Sequence, residues 1–324
     1  MVSEIPSLDL LNPLWRNAKW DVSGIFANDK ELIYFHDYFL NRFGIKPFSL
    51  IHGAPLCIWN SGRVNPKMQM NTQRLVDSLG NFIKRNIAID VTFTNLFIKE
   101  EHLDDLLGNN ILEALVKYNP TGDNAVILSS EVLYSYIKEK YPTLKLVSSI
   151  LKVSWEKGKN NLAYYETLAD RFDKVMVHPD DSTNIELLSQ LKNPEKFEIL
   201  LNENCVRQCP IRHKHYESLS NLSLNYLGHS DDFENMRLKN LCVSDVALLS
   251  NTPKCTTQLT PDEILAAYQA GIRFFKIQGR GLHQSGSELM DMLRLMFRED
   301  ALDETIMWEI STDFLESLAE YLHS

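Results

Sequence analysis

Residues 125–148, AVILSSEVLYSYIKEKYPTLKLVS, contain an apolar run, an amphipathic segment and a second apolar run. The runs at 125–128 and 144–148 have the length of buried strands, and the segment at 131–140 has helical spacing. Two strands joined by a helix lie parallel in a sheet, because the helix returns the chain to the same edge. This stretch therefore predicts one β/α unit.

The same alternation continues on both sides of this unit. Apolar runs alternate with segments of helical spacing. These helix-like segments are 72–85, 101–118, 161–172, 185–191 and 261–270. The other apolar runs are 48–51 (FSLI), 87–93 (IAIDVTF), 174–177 (KVMV), 197–201 (FEILL) and 274–277 (FFKI). A repeat of this length favours one distorted (β/α)8 barrel of the TIM type over two doubly wound sheets. Residues 243–249 are a poorly matching candidate for the eighth strand.

The repeat also predicts the domain organisation. Residues 1–45 form an N-terminal extension with a helix at 31–43, and residues 46–324 form a single α/β barrel domain that ends in a helix at 304–323. The segment 205–260 interrupts the repeat after the sixth apolar run, so we expect a long excursion from the barrel there. Long irregular segments in compact domains are usually functional or disordered.

The composition narrows the class of protein. The 33 basic and 43 acidic residues give a formal charge of −10, which argues against a broad nucleic-acid-binding face. The start has no basic region followed by a long apolar stretch, and no run is long enough to span a membrane, so we expect a cytoplasmic protein. Five cysteines are an odd set for disulfides and favour reduced thiols or metal ligands.

Polar side chains follow several of the apolar runs, where a barrel of this type has its active site. Lys276, Gln278 and Arg280 alternate along one face of the last strand and its exit. The sequence QGRG at 278–281 is either a turn with a solvated arginine or a cradle for a phosphate or carboxylate. We predict that His52, Lys276 and Arg280 bind the substrate. The polar residues expected instead to cap helices are Ser129, Ser130 and Asp180.

The strongest local signal is NENCVRQCPIRHKHY, residues 202–216. Pro210 disfavours a helix at Cys209, so we expect a loop that brings Cys205 and Cys209 within reach of one metal. Cys242 and Cys255 supply two further thiolates, and four thiolates suit an iron–sulfur cluster or zinc. A zinc site that uses His213 beside the first two cysteines is the alternative. The catalytic candidates in this segment are Glu203, as a proton carrier, and His213.

Three short motifs resemble the collagenase-like peptidase family, unclassified group thirty-two. They are IHGAPLC at 51–57 followed by Arg63, Asn-Glu-x-Cys-x-x-x-Cys-Pro at 202–210, and TPDEI at 260–264 followed by FKIQGR at 275–280. The resemblance spans the layout of residues 45–300. It implies a barrel in which four cysteines hold a [4Fe–4S] cluster, and some members of the family act in oxygen-independent hydroxylation of ubiquinone precursors or RNA bases.

By this resemblance Cys205 and Cys209 correspond to the cluster-binding CxxxC. Cys57 is a candidate for a first-strand ligand, but we place Cys242 and Cys255 ahead of it because both lie in the excursion. The sequence therefore predicts an iron–sulfur barrel enzyme acting on a small or polymer-bound substrate, which is expected to be anionic because basic residues gather at the mouth. A zinc-dependent lyase or isomerase and a non-catalytic binding subunit with a protein partner are the alternatives.

Overall fold

Eight parallel strands close into one barrel in the computed structural model of the chain. The structure describes residues 12, 14, 17–26, 29–61, 72–203, 205, 207–226, 258–278, 292, 295, 312 and 316–321. Each strand pairs with its sequence neighbours, and the first strand pairs with the last. The predicted (β/α)8 barrel is therefore confirmed.

All seven apolar runs of the sequence are strands of this barrel. An eighth strand precedes them in the chain. The strands are β1 Lys19–Ser23, β2 Leu50–Gly53, β3 Ala88–Phe93, β4 Ala125–Leu128, β5 Lys145–Ser148, β6 Lys174–Met176, β7 Phe197–Leu200 and β8 Phe274–Ile277.

Helices connect the strands and cover the outside of the barrel. None of those in the described part of the chain has the length and apolar character needed to cross a membrane. The helices are α1 Asp29–Phe43, α2 Thr72–Ile83, α3 Leu106–Lys117, α4 Glu131–Lys140, α5 Ile150–Trp155, α6 Leu162–Arg171, α7 Ile185–Leu188, α8 Arg212–Tyr226 and α9 Pro261–Gln269.

The position of β1 corrects the expected domain boundary. Its sequence, KWDVS, belongs to the segment 1–45 that was predicted to precede the barrel. Trp20 and Val22 pack outward in the main apolar cluster, whereas Asp21 between them is a buried charge, so the strand does not form an apolar run. The excursion consequently follows the seventh strand, β7, and not the sixth. The other candidate strand, 243–249, lies outside the described residues.

One of the three expected helix caps, Ser130, is present, and a further cap is found at Thr260. The Ser130 hydroxyl accepts a hydrogen bond from the Leu133 amide at the start of α4, and Thr260 forms a reciprocal capping box with Glu263 at the start of α9. Ser129 instead pairs with the Ser149 hydroxyl at 2.6 Å. Asp180 accepts a hydrogen bond from the Gln208 amide at 2.8 Å, so it fastens a loop and caps no helix.

Gly108 in α3 marks a close approach of that helix to a buried ring. A Cβ atom there would lie 2.4 Å from Cε3 of Trp59, which is fully buried and donates a hydrogen bond to the His102 carbonyl. We expect Gly108→Ala to lower the free energy of unfolding by about 1–3 kcal/mol, because the ring has no room to move. Urea denaturation measures this difference.

Gly80 in α2 provides the matched control. No heavy atom of the described residues lies within 4 Å of the Cβ position at Gly80. Ala favours a helix interior over Gly, so we expect Gly80→Ala to raise the free energy of unfolding by roughly 0.5–1 kcal/mol. A Gly108→Ala protein that is as stable as the Gly80→Ala protein would contradict the close packing on Trp59.

Candidate active site in the barrel interior and at its mouth

Six ionisable side chains face the interior of the barrel, where strand residues of such folds are mostly apolar. The strand registers place Asp21 opposite Lys276 and His52 opposite Asp90. All six are at most 7% exposed. We call this set the interior network: Asp21, His52, Asp90, Lys174, Glu198 and Lys276.

Two lysines connect the three carboxylates of the interior network. Lys174 Nζ donates hydrogen bonds to Asp90 Oδ2 at 2.7 Å and to Glu198 Oε1 at 2.9 Å. Lys276 Nζ donates to Asp21 Oδ2 and lies 3.8 Å from Glu198 Oε2. Each ammonium therefore contacts two carboxylates, and Glu198 contacts both ammoniums.

The remaining member, His52, is bound to Asp21 with 2.8 Å between Nδ1 and Oδ1. Burial lowers the pKa of His52 below its ordinary value, although the Asp21 charge opposes this shift. Burial alone would raise the pKa of Asp21, but the charges of His52 and Lys276 hold it well below its usual range. Near neutral pH the pair consists of a neutral imidazole and an ionised carboxylate.

The charges of the interior network do not cancel when every carboxylate is ionised. Three carboxylates and two ammoniums leave one negative charge, −3 + 2 = −1, with His52 neutral. Burial raises the pKa of Asp90 against the attraction of Lys174, and the same lysine has its own pKa raised by Asp90 and Glu198 despite burial. One additional proton neutralises the network.

A metal ion is a further way to supply positive charge. Ligand oxygens of Asp21, Asp90 and Glu198 lie within 4.8 Å of one another, the one such group of three found among the described residues. Both lysine ammoniums already contact these oxygens. We therefore interpret the three carboxylates as partners of the lysines.

At the mouth, Arg212 is the first residue of α8 and contacts carboxylates from two loops. Its Nη1 lies 3.3 Å from Glu203 Oε2, and its Nη2 lies 3.9 Å from Asp180 Oδ1. The guanidinium is only 3% exposed. Burial would lower the pKa of Arg212, but Tyr216, Glu203 and the Cys205 thiol raise it well above its ordinary value. Arg212 thus joins the loops that follow β6 and β7.

The predicted cysteine loop is present between β7 and α8, and helix α8 begins at Arg212, two residues after Pro210. Cys205 is buried and Cys209 is partly exposed. Cys57 is also buried, and burial raises its pKa well above the ordinary value of a thiol. That environment is typical of a structural cysteine in a core. The other predicted ligands, Cys242 and Cys255, lie outside the described residues.

His213 lies on α8 with its ring stacked on Trp155, at 4.4 Å between centroids and 2° between planes. Among the described residues, the one set of three potential ligands within 4.8 Å of one another is Asp21, Asp90 and Glu198. His213, Cys205 and Cys209 do not form such a set. The zinc alternative through His213 is therefore not assembled in this structure. The catalytic candidate His213 is instead seen in contact with the Trp155 ring.

The predicted substrate-binding residues have different environments. Lys276 is held inside the interior network, whereas His52 lies at the carboxyl end of β2 and keeps 7% of its surface exposed. Asn202 and Gln278 bind each other. The Asn202 side-chain amide donates to the Gln278 backbone carbonyl, and the Gln278 backbone N–H donates to Asn202 Oδ1, both at 2.8 Å. This pair fastens the exits of β7 and β8. Arg280 lies outside the described residues.

Sequence reasoning missed most of the interior network. Its signal is a charged residue inside a run that otherwise reads as a buried strand, because charges are almost never fully buried unless they are paired. Asp90 lies within IAIDVTF, Lys174 begins KVMV, and Glu198 lies within FEILL. Charges of both signs at inward positions of different strands indicate such pairing.

Fold and site together define the class: this is a (β/α)8-barrel protein with an ionised interior and a thiol-bearing loop at the carboxyl ends of its strands. No protein-family model matches the chain. The curated proteins contain no match either. Among solved structures, one described as the U32 peptidase Mk0906 superimposes with a TM-score of 0.47 at 12% identity, over 82% of this chain and 94% of that chain. At this similarity the match assigns neither family nor activity.

Proposed function

We propose that this chain is a cytoplasmic barrel enzyme that modifies a small or polymer-bound substrate at the mouth of the barrel and holds a [4Fe–4S] cluster there. The observation that carries the proposal is the loop after β7, where Cys205 and Cys209 lie four residues apart and Cys205 interacts with the buried guanidinium of Arg212. Loops at this end of a barrel carry the chemistry in this class of fold.

The residues of this loop fit a thiolate-bound group. A metal ligand must be the thiolate form of cysteine, and an adjacent positive charge favours that form. Arg212 supplies the charge next to Cys205, and its bonds to Glu203 and Tyr216 keep it in place. The cluster would be held by Cys205, Cys209, Cys242 and Cys255, and when bound it supplies one-electron transfer.

Other residues of the mouth would bind the substrate. Arg207 is partly exposed on the cysteine loop, where it contacts Glu263, and Lys214 is exposed on the first turn of α8, so both would add positive charge near an anionic group. Arg280 follows β8 and would add a bidentate contact to a carboxylate or phosphate. Glu203, held 3.3 Å from Arg212, is the proposed proton carrier next to the thiols.

Removal of either thiol is the direct test of the cluster. We expect the protein purified without oxygen to be brown and to contain about four iron and four sulfide ions per chain. Cys205→Ala and Cys209→Ala are each expected to lose most of that iron, because a cluster of this type needs four ligands. Iron and sulfide analysis with visible absorbance measures the effect, and circular dichroism checks the fold.

Cys57→Ala is the matched control. Cys57 is buried like Cys205, but its neighbours are core residues and Asp105 rather than an arginine. We expect this variant to keep its iron. Zinc without visible absorbance in the wild-type protein would replace the iron–sulfur proposal by the zinc lyase or isomerase. Full iron content in Cys205→Ala and Cys209→Ala would show that the ligands are wrongly assigned.

A further inference from the structure

His52 is held in one orientation by an ionised partner. Asp21 is fully buried and accepts hydrogen bonds from two different groups, His52 at one oxygen and Lys276 at the other. A carboxylate is only an acceptor, so the nitrogen 2.8 Å from it, His52 Nδ1, must carry the proton of the neutral ring. The other nitrogen, Nε2, is then left with its lone pair.

The position of His52 exposes that lone pair to the mouth. His52 is the third residue of β2, in register with Ser23 at the carboxyl end of β1. Its side chain is 9% exposed. Unlike His36 Nε2, its Nε2 is not a buried atom without a hydrogen-bond partner. Within the described residues, the ring's hydrogen bond is the one that Nδ1 makes to Asp21.

His36 shows what a structural histidine of the same type looks like in this chain. Its Nδ1 also contacts a carboxylate, Asp37 Oδ1, at 3.2 Å. The side chain is 0% exposed on α1, and its Nε2 is a buried atom without a hydrogen-bond partner. The two histidines therefore share the carboxylate contact but differ in access to the second nitrogen.

We propose that His52 is the catalytic proton acceptor of this barrel and that Asp21 is the residue that positions it. A hydroxyl or an activated C–H group of the substrate would transfer its proton to Nε2 of His52, and the electron pair of the broken bond would stay on the substrate oxygen or carbon. The inference rests on the proposed function only in placing the substrate at the mouth of the barrel.

The carboxylates of the interior network favour this transfer, whereas burial and Lys276 oppose it. The groups that face the His52 ring are Asp21 from β1, Lys276 from β8 and Asp90 from β3. With the carboxylates ionised and His52 neutral, the network has a charge of −1, so an imidazolium at His52 brings it to zero. Asp21 stays ionised and stabilises the imidazolium, as the carboxylate does in Asp–His pairs of hydrolases.

The test is the tautomer of His52, read from nitrogen chemical shifts of protein labelled with ¹⁵N-histidine. The chain has nine histidines, and loss of one set of signals in His52→Gln assigns the residue. We expect a protonated Nδ1 and an unprotonated Nε2 in the wild-type protein. In Asp21→Asn the amide can donate to Nδ1, so the proton is expected to move to Nε2. A wild-type protein with the proton on Nε2 overturns the proposal.

Diethyl pyrocarbonate tests access to Nε2, because it acylates unprotonated imidazole nitrogens. We expect His52 to be acylated and His36 to be protected, and the rate at His52 to fall about tenfold or more in Asp21→Asn. Peptide mass spectrometry at short reaction times gives the acylation rates of His52 and His36 in the wild-type protein. The same measurement on Asp21→Asn gives the change at His52. Equal protection of His52 and His36 would overturn the proposal, even if Asp21→Asn does not fold. Neither readout involves iron, so a failed cluster assignment is distinguished from a failed assignment of His52.

Discussion

Replacement of Lys174 by Met is expected to lower the free energy of unfolding by about 3–5 kcal/mol, the usual effect of removing one partner from a buried ion pair. Lys174 donates hydrogen bonds to Asp90 and Glu198, and both carboxylates are 0% exposed. Without the ammonium, water cannot solvate the two charges. Urea denaturation at pH 7 measures the loss.

The pH dependence of this loss separates charge from packing. Burial already raises the pKa of Asp90 in the wild-type protein, and Lys174 is the main opposing influence. In Lys174→Met the folded-state pKa of Asp90 therefore rises further above its unfolded value. A group of this kind destabilises the fold above its folded pKa, and the destabilisation disappears as the pH falls towards the unfolded value of about 4. The difference from wild type should thus shrink on acidification.

Lys152→Met is the matched control. Lys152 is also buried and also contacts two carboxylates, Glu131 at 2.5 Å and Glu156 at 2.6 Å. The carboxylates are 51% and 37% exposed, so water solvates them when the ammonium is removed. We expect a loss of about 1 kcal/mol for the electrostatic part of this change. Equal losses at pH 7 for the two lysines would show that the interior network adds no special cost.

The fold was predictable where the inward positions of the strands are apolar. In β4 and β5, Ala125, Ile127 and Val147 belong to an apolar cluster inside the barrel, so both faces of each strand are apolar and the runs are continuous. The strand β1 is different because its inward Asp21 divides the apolar pattern. Its role in closing the barrel depends on pairing with β8, more than 250 residues away, which local periodicity does not contain.

The site was predictable in its cysteine loop and not in its charges. Pro210 disfavours a helix at the residue before it, so the sequence alone predicts a loop there. The structure has that loop directly before α8. The interior network joins residues that are far apart in the chain, such as Lys174 and Asp90, which are separated by 84 positions. A charged residue within an apolar run indicates that it has a partner of opposite charge. Which residue is that partner depends on the registers between the barrel strands.

Replacement of Arg212 by Met is the second change with a large expected effect. Its guanidinium is 3% exposed and faces Glu203 and Asp180, whose side chains are 5% and 8% exposed. After the replacement Asp180 keeps Lys159 and the Gln208 amide as partners, and Glu203 loses its contact with the guanidinium. We expect the free energy of unfolding to fall by about 3 kcal/mol or more, the usual effect of removing one partner from a buried ion pair.

The iron content of the same variant tests the link between Arg212 and the thiols. Removing the positive charge beside Cys205 disfavours the thiolate, so Arg212→Met is expected to bind less iron than the wild-type protein. Arg207→Met is the matched control in the preceding loop. Its guanidinium is 32% exposed and contacts Glu263, also 32% exposed, at 3.4 Å, so we expect a loss of stability within about 1 kcal/mol and unchanged iron. Equal stability and equal iron in the two arginine variants would contradict a specific role for Arg212, because the two cations lie close together in the sequence and differ chiefly in burial.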